Sequence, residues 1–211
     1  MTRSIEELVR RIPGLLPCVD QLEASIAVLA TALTNGGKVL ACGNGGSAAD
    51  SEHLVADLMK GFMSPRPLPE ADANRLRELA GGDGQRIASA LQGGLAALAL
   101  GTEGPLATAI SNDIAFDMVF AQQVGVLGNR GDVLVAISTT GNSPNVLNAV
   151  HVARLREMSV VALTGRDGGS LGALADVAVR VPADRVFEIQ ELHVSVYHGI
   201  ALALEELFFP G

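Results

Sequence analysis

Positive charge is what this chain most obviously lacks. Its 15 lysines and arginines face 23 aspartates and glutamates, for a net charge of −8, and no basic run exceeds two adjacent residues. That balance argues against a nucleic-acid footprint. An anionic ligand would then be held by backbone dipoles, hydroxyls or a metal rather than by bulk charge. Cysteine is nearly absent too. Cys18 and Cys42 are a poor disulfide framework, so a reducing cytoplasm is the expected setting. The first residues, MTRSIEELVRRIPG, are charged and amphipathic and have no signal-peptide core, and no uninterrupted apolar run approaches the roughly 20 residues of a membrane span. A soluble protein is expected. Aromatics make up only 3% of the residues, yet 48% are hydrophobic. Alanine, leucine, valine and glycine supply that material, as suits parallel strands covered by helices on both faces. Neither a solenoid repeat nor a low-complexity segment is present.

Two stretches stand out. Lys38–Ser51 reads KVLACGNGGSAADS: a strand-length apolar run, a glycine turn, then an alanine-rich helical segment. Strand, turn and helix start gather backbone N–H groups at one point, which attracts phosphate. Gly45 and Gly46 let the backbone approach a ligand, and Ser47 is placed to cap the helix or offer its hydroxyl. Asp132–Ser143 reads DVLVAISTTGNS, again a strand, then Ser138, Thr139, Thr140 and Ser143 around Gly141, with Pro144 opening a helix. Two such loops at the carboxyl ends of strands in one sheet would face a common crevice and favour a phosphorylated small molecule.

Along the chain, residues 4–34 read as helical with a break near Pro13 and Pro17, either covering the sheet or pairing with another subunit. The helix expected over Ala48–Lys60 carries Asp50, His53 and Asp57. His53 and Asp57 lie four apart on one face, the spacing of a metal pair, of an acid and a base, or of a surface ion pair. Residues 63–94 read as an inserted helical hairpin, with halves near Glu70–Ala80 and Gln85–Leu91, serving as a lid or an oligomer contact. Strands are expected at Val39–Cys42, Leu95–Leu100, in the run from Asp132 up to Ser138, at Val160–Leu163 and at Val177–Val181. Asn112–Asp113 precede a helix over Phe116–Val126, with Phe116, Phe120 and Val124 on one side; the pair suits a cap or a sugar-hydroxyl contact. His151 reads as a surface residue on a helix over Val146–Met158. The last helix, Val186–Phe209, places Gln190, His193 and His198 among apolar residues, and polar groups in such a setting suggest a site. The alternation commits the chain to an α/β fold, a doubly wound sheet of five parallel strands flanked by helices.

The stretches GNGGSAAD, SNDIAFD, STTGNS and EIQELHVSVYH together resemble the phosphoheptose isomerases of the sugar isomerase (SIS) group, from about residue 4 to 209 apart from the insert. The resemblance implies a single flavodoxin-like SIS domain over 1–211, with an N-terminal arm at 1–36 and the insert at 63–94. It implies interconversion of sedoheptulose 7-phosphate and D-glycero-D-manno-heptose 7-phosphate in the cytoplasm, by a homotetramer. By the same resemblance Asn44, Gly45, Gly46 and Ser47 line the sugar phosphate site, Asn112, Asp113 and Gln190 touch substrate, and Ser138, Thr139, Thr140 and Ser143 hold the phosphate. One zinc per site falls to His53, Asp57, Gln190 and His198, with Asp57 as base and His198 as acid. The family usually has glutamate at Asp57, so the carboxylate here is withdrawn by about 1.5 Å. It usually has serine at Thr140, where the hydroxyl is kept. Such an isomerase needs a base between C1 and C2, an acid at the carbonyl oxygen and a stabiliser of the oxyanion. The competing expectation is a non-catalytic SIS protein, either a sugar phosphate sensor or a scaffold of the replication initiator. Gln190 and His198 are about 12 Å apart along one helix, too far for one metal with bonds near 2 Å. Either His193 replaces one of them, or a neighbouring subunit supplies Gln190 or His198.

Overall fold

The computed structural model describes residues 1–101 and 104–210. Helices α1 (Arg3–Arg11) and α2 (Val19–Thr34) flank a 3-10 turn, Pro13–Cys18, where two prolines interrupt the ladder. Then come β1 (Val39–Cys42), α3 (Gly46–Met59), α4 (Glu70–Ala90), β2 (Ala97–Ala99), α5 (Gly104–Asp113) and α6 (Val119–Leu127). The chain closes with β3 (Val133–Ile137), α7 (Pro144–Leu155), β4 (Ser159–Thr164), α8 (Gly169–Leu174), β5 (Val177–Arg180) and α9 (Val186–Phe208).

The five strands form one parallel sheet in the order β2-β1-β3-β4-β5, with Val39 opposite Ala97 and Val133, and Val133 opposite Ser159. From β1 the chain steps out to the β2 edge and returns to β3, so the connections leaving β1 and β3 go to opposite faces. That reversal opens a crevice at their carboxyl ends. The strand period of two is written into the core. Val39, Ala41, Val133, Val135, Val161 and Leu163 point to the layer of α1, α2, α3 and α9. Leu40, Cys42, Leu134, Ala136, Val160 and Ala162 point to the layer of α5, α6, α7 and α8. Residues Pro13–Thr34 are long and apolar enough for a span by composition, but they form the 3-10 turn and α2 and bury Leu22, Ile26 and Leu29 under the sheet. Both cysteines are free and buried, and burial pushes the Cys42 thiol up to about 12.

The insert is a hairpin. At Gly81 the backbone leaves helical dihedrals (φ 53°, ψ −124°). Gly84 then lies against the Leu76 carbonyl and Arg77 Nε donates to Gln85 at 2.6 Å, contacts a straight helix cannot make across eight residues. A bridge between Pro67 and Gln92 closes its base. Two helices had no counterpart in the sequence reading, α5 and the short α8. Phe116 sits in a 3-10 turn and is exposed, away from the buried Phe120 and Val124.

Candidate active site

The first glycine loop leaves β1 at Cys42 and enters α3 directly at Gly46. The cap position is Gly45, whose φ of 55° suits glycine, and no side chain caps the helix. Ser47 therefore does not cap: the helix begins two residues earlier than its sequence suggested, and Ser47 is buried inside the first turn. At Gly46 a Cβ would displace the side-chain amide of Gln190, so the glycine leaves that amide its place against the turn.

The hydroxyl loop leaves β3 at Ile137. Ser138 is buried and its Oγ lies 3.1 Å from Ser143 Oγ, while Ser143 precedes α7 with Pro144 in the first turn. Thr140 Oγ1 accepts the Asn142 N–H at 3.2 Å, which turns the loop tightly around Gly141. The two loops are tied together. Asn44 and Asn145 exchange two side-chain amide bonds of 2.8 Å across the crevice, and Asn145 also accepts the Val146 N–H. Asn145 escaped the sequence reading; its only signal is a buried amide one residue past Pro144.

Helices α3 and α9 lie side by side and run in the same direction. Gln190 meets Gly46, Tyr197 and His198 meet Asp50 and His53, and Glu205 meets the chain just past α3. This pairing explains the eight-residue gap between Gln190 and His198. They stand about two turns apart along the contact between α3 and α9, Gln190 by the glycine loop and His198 by His53 and Asp57. His198 therefore reaches the cluster from its own chain. His193 is fully buried elsewhere on α9, with no partner at either ring nitrogen, so it is no substitute ligand.

The cluster itself is compact. His53 Nε2 lies 3.4 Å from His198 Nε2, and Asp57 Oδ2 lies 3.8 Å from each. A point equidistant from the three atoms is about 2.1 Å from each, the bond length of zinc to nitrogen and oxygen ligands. Asp57 Oδ2 is buried and has no hydrogen-bond partner, the mark of a group waiting for a cation or a proton. The donor set fits a divalent metal, and the shorter aspartate still reaches. Burial raises the Asp57 pKa, with His53, His198, Lys60 and Arg66 pulling the other way. Burial lowers that of His198, so its imidazole is neutral near pH 7. Phe62 packs against the His198 ring at 5.4 Å.

Behind the cluster lies a buried pair that sequence reasoning missed. Arg66, fully buried, donates to Glu205 at 2.9 Å and to the Leu58 and Asp57 carbonyls at 2.8 and 3.2 Å, closing the end of α3. Glu205 also accepts the N–H groups of Phe62, Met63 and Ser64. Burial works against this carboxylate, but those N–H groups and the guanidinium outweigh it and lower its pKa.

Asn112 and Asp113 do not start a helix: they end α5, exposed, and bond to one another at 2.8 Å. They belong to the layer on the other face of the sheet from His53, Asp57 and His198. His151 is exposed on α7. A cavity of about 260 Å³ borders the hydroxyl loop through Thr139, Thr140 and Asn142. Its Arg166 is already engaged by Asp184 at 3.1 Å and by the Pro182 carbonyl. A larger cavity, about 660 Å³, opens at the amino ends of the strands, where Lys38 and Asp132 are paired at 2.5 Å. The loops, the cluster and the topology all assign the chemistry to the carboxyl ends instead.

Known proteins share this layout. The SIS domain family model matches residues 18–89 and 86–165. A phosphoheptose isomerase of Bordetella avium is 43% identical over 191 residues, covering 89% of this chain and 84% of the relative. The structure of a Neisseria gonorrhoeae phosphoheptose isomerase superposes with a TM-score of 0.70 at 38% identity, over 97% of this chain and 92% of that one. A Francisella tularensis phosphoheptose isomerase gives 0.76 at 30% identity, over 96% and 94%. With a family model matched over most of the chain, this extent of identity and the shared fold, the chain belongs to the phosphoheptose isomerase family of SIS-domain proteins.

Proposed function

We infer that the cleft isomerises a sugar phosphate of heptose biosynthesis, interconverting sedoheptulose 7-phosphate and D-glycero-D-manno-heptose 7-phosphate. Family membership supports the reaction class. The observation that carries the reading is the convergence of His53, Asp57 and His198 on one point of a helix, α3, that begins at two tied loops suited to a phosphate.

Ser138, Thr139, Thr140 and Ser143, with the start of α7, hold the phosphate by hydroxyls and backbone N–H groups. Asn44, Gly45, Gly46 and Ser47 line the sugar, Gln190 orients it from α9, and Asn112 and Asp113 contact it from the far side of the sheet, from this subunit or a neighbouring one. Asp57 removes the proton from C1 of the ketose, leaving an enediol, and returns it to C2. His198 serves the oxygens, giving a proton to O2 as the carbonyl opens and taking the O1 proton in return as the aldehyde forms. His53, Asp57 and His198 would hold zinc, with Gln190 as a fourth ligand. Bound there, zinc would polarise the carbonyl and steady the developing oxyanion. Because Gln190 of the same chain stands at the glycine loop, we assign that fourth ligand to a neighbouring copy within a closed tetramer. The chain acts as one SIS unit with residues 1–36 as an arm and 63–94 as an insert, in a reducing cytoplasm suited to its two free thiols.

The competing reading is a sensor or scaffold, and turnover separates the two. Purified chain is assayed with sedoheptulose 7-phosphate after chelation and again with zinc restored. Zinc-dependent turnover is the expected result. Folded protein inert in both conditions rules out the isomerase, and turnover indifferent to chelation rules out the metal.

A further inference from the structure

Asp50, His53 and Asp57 fall on one side of α3, and Tyr197 and His198 are adjacent on α9. Successive helical residues point about 100° apart, so His198 can enter the cluster while Tyr197 passes behind it. Tyr197 is the chain's single tyrosine and is buried to 1% exposure. Its hydroxyl lies 2.9 Å from His53 Nδ1 and 3.5 Å from Asp50 Oδ1. The rings of Tyr197, His53 and His198 meet edge to face, with centroids 4.9 to 5.2 Å apart. His53 is thus gripped from the side opposite to its Nε2.

We propose that Tyr197, oriented by Asp50, is a positioning residue that fixes His53 as the Nδ1–H tautomer and aims its bare Nε2 at Asp57 and His198. The inference rests on the metal reading of the cluster, but its first step is a property of the chain alone. A carboxylate accepts and does not donate, so the tyrosine proton turns to Asp50 and the phenolic oxygen accepts from His53 Nδ1–H. Nε2 then carries a lone pair, the form a cation requires. A partner on the far nitrogen is what orients a ligating imidazole. The other oxygen of Asp50 is buried without a partner. A carboxylate kept at that cost is explained by the hydroxyl it orients.

Two measurements test this, on the chain stripped of metal and then titrated with cobalt(II). Nitrogen-15 spectra of histidine-labelled chain should show His53 protonated at Nδ1 in the wild type and lose that preference in Tyr197→Phe. Cobalt affinity, read by its visible absorbance, should fall about 10- to 100-fold in Tyr197→Phe. Asp50→Asn, which keeps an oxygen to accept the tyrosine proton, should stay near wild type, whereas Asp50→Leu should follow Tyr197→Phe. Circular dichroism establishes that each variant is folded. A folded Tyr197→Phe with the wild-type tautomer and wild-type cobalt affinity overturns the proposal. If the wild type binds cobalt no better than His53→Ala, the metal reading fails instead. The tautomer comparison then decides alone, and an unchanged tautomer in Tyr197→Phe overturns the role given to Tyr197.

Discussion

The last helix and the inserted hairpin have similar lengths, 23 and 21 residues, and both carry many polar side chains. Their circumstances are opposite. In α4 only Ala73 and Gly84 are buried, and the polar groups find partners locally, Arg75 pairing with Glu78 and Arg77 donating to the Asn74 amide oxygen. Water solvates them at no cost, so their presence says nothing about function. In α9, His193, Tyr197 and Glu205 are buried, and each owes a desolvation cost that a partner must offset. Glu205 finds Arg66, Tyr197 finds His53 and Asp50, and His198 finds the cluster, while His193 finds no partner. Polar residues become informative where the helix has no cheap way to keep them.

The comparison breaks most decisively at Asp57. Asp57→Asn preserves shape but neither abstracts a proton nor carries charge, and turnover should fall by about 10²- to 10⁴-fold. Binding of inorganic phosphate should persist, because both loops are untouched. A variant that keeps its rate removes Asp57 from the chemistry and leaves its buried oxygen without an explanation.

The buried pair behind the cluster comes next. Arg66→Met leaves Glu205 enclosed without its guanidinium and frees two carbonyls at the end of α3. A loss of about 3 to 5 kcal/mol in unfolding free energy is expected, measured by urea denaturation. Three N–H groups still serve Glu205, which favours the lower end. A neutral outcome would place Arg66 with the solvated charges of α4.

How much of this was legible beforehand follows the same division. The strands were legible because a doubly wound sheet writes its core as short apolar runs, and β1 matched to the residue. The two loops were legible because strand, glycine turn and helix start form a local pattern. The relation between Gln190 and His198 was half legible: helical rise gave their separation, but only the pairing of α3 with α9 shows which part of α3 each one meets. Asn145, Arg66 and Tyr197 were not legible. Their partners lie 101, 139 and 144 residues away, and no local pattern encodes such contacts. Ser47 and Asn112–Asp113 misled because capping depends on where a helix begins, and helix ends are the least certain boundary in a sequence.

His193 sharpens the comparison from the other side, as the buried polar residue of α9 without a partner. Burial lowers its pKa to about 4, and the nearby Thr164 backbone offsets this only in part, from outside hydrogen-bond geometry. The unfolded chain binds a proton below about pH 6.5, while the folded chain resists it down to about pH 4. Stability should therefore fall as pH drops through that window, by about 3 kcal/mol at most. His193→Leu should flatten the decline, seen as a smaller loss of melting temperature between pH 7 and pH 4. An unchanged slope means other groups dominate acid unfolding.

The smallest effect is expected of the hairpin. Its base, from Gly61 to Pro69, is held by Arg66 and Glu205 and brings Phe62 against His198, so the base belongs to the site. Beyond Pro69 the side chains are mostly exposed, and little apolar surface would be lost with them. Replacing residues 70–90 by a short glycine link, with the base intact, should change unfolding free energy by no more than about 1 kcal/mol. Loop entropy changes slowly with length, and Pro67 and Gln92 already meet. If the hairpin covers the sugar end of the cleft, KM should rise while kcat is kept, because the proton-transferring groups stay in place. If it joins subunits instead, sedimentation should show smaller assemblies. A change in kcat without either would mean that the hairpin reaches the cluster, and would erase the contrast between the two helices.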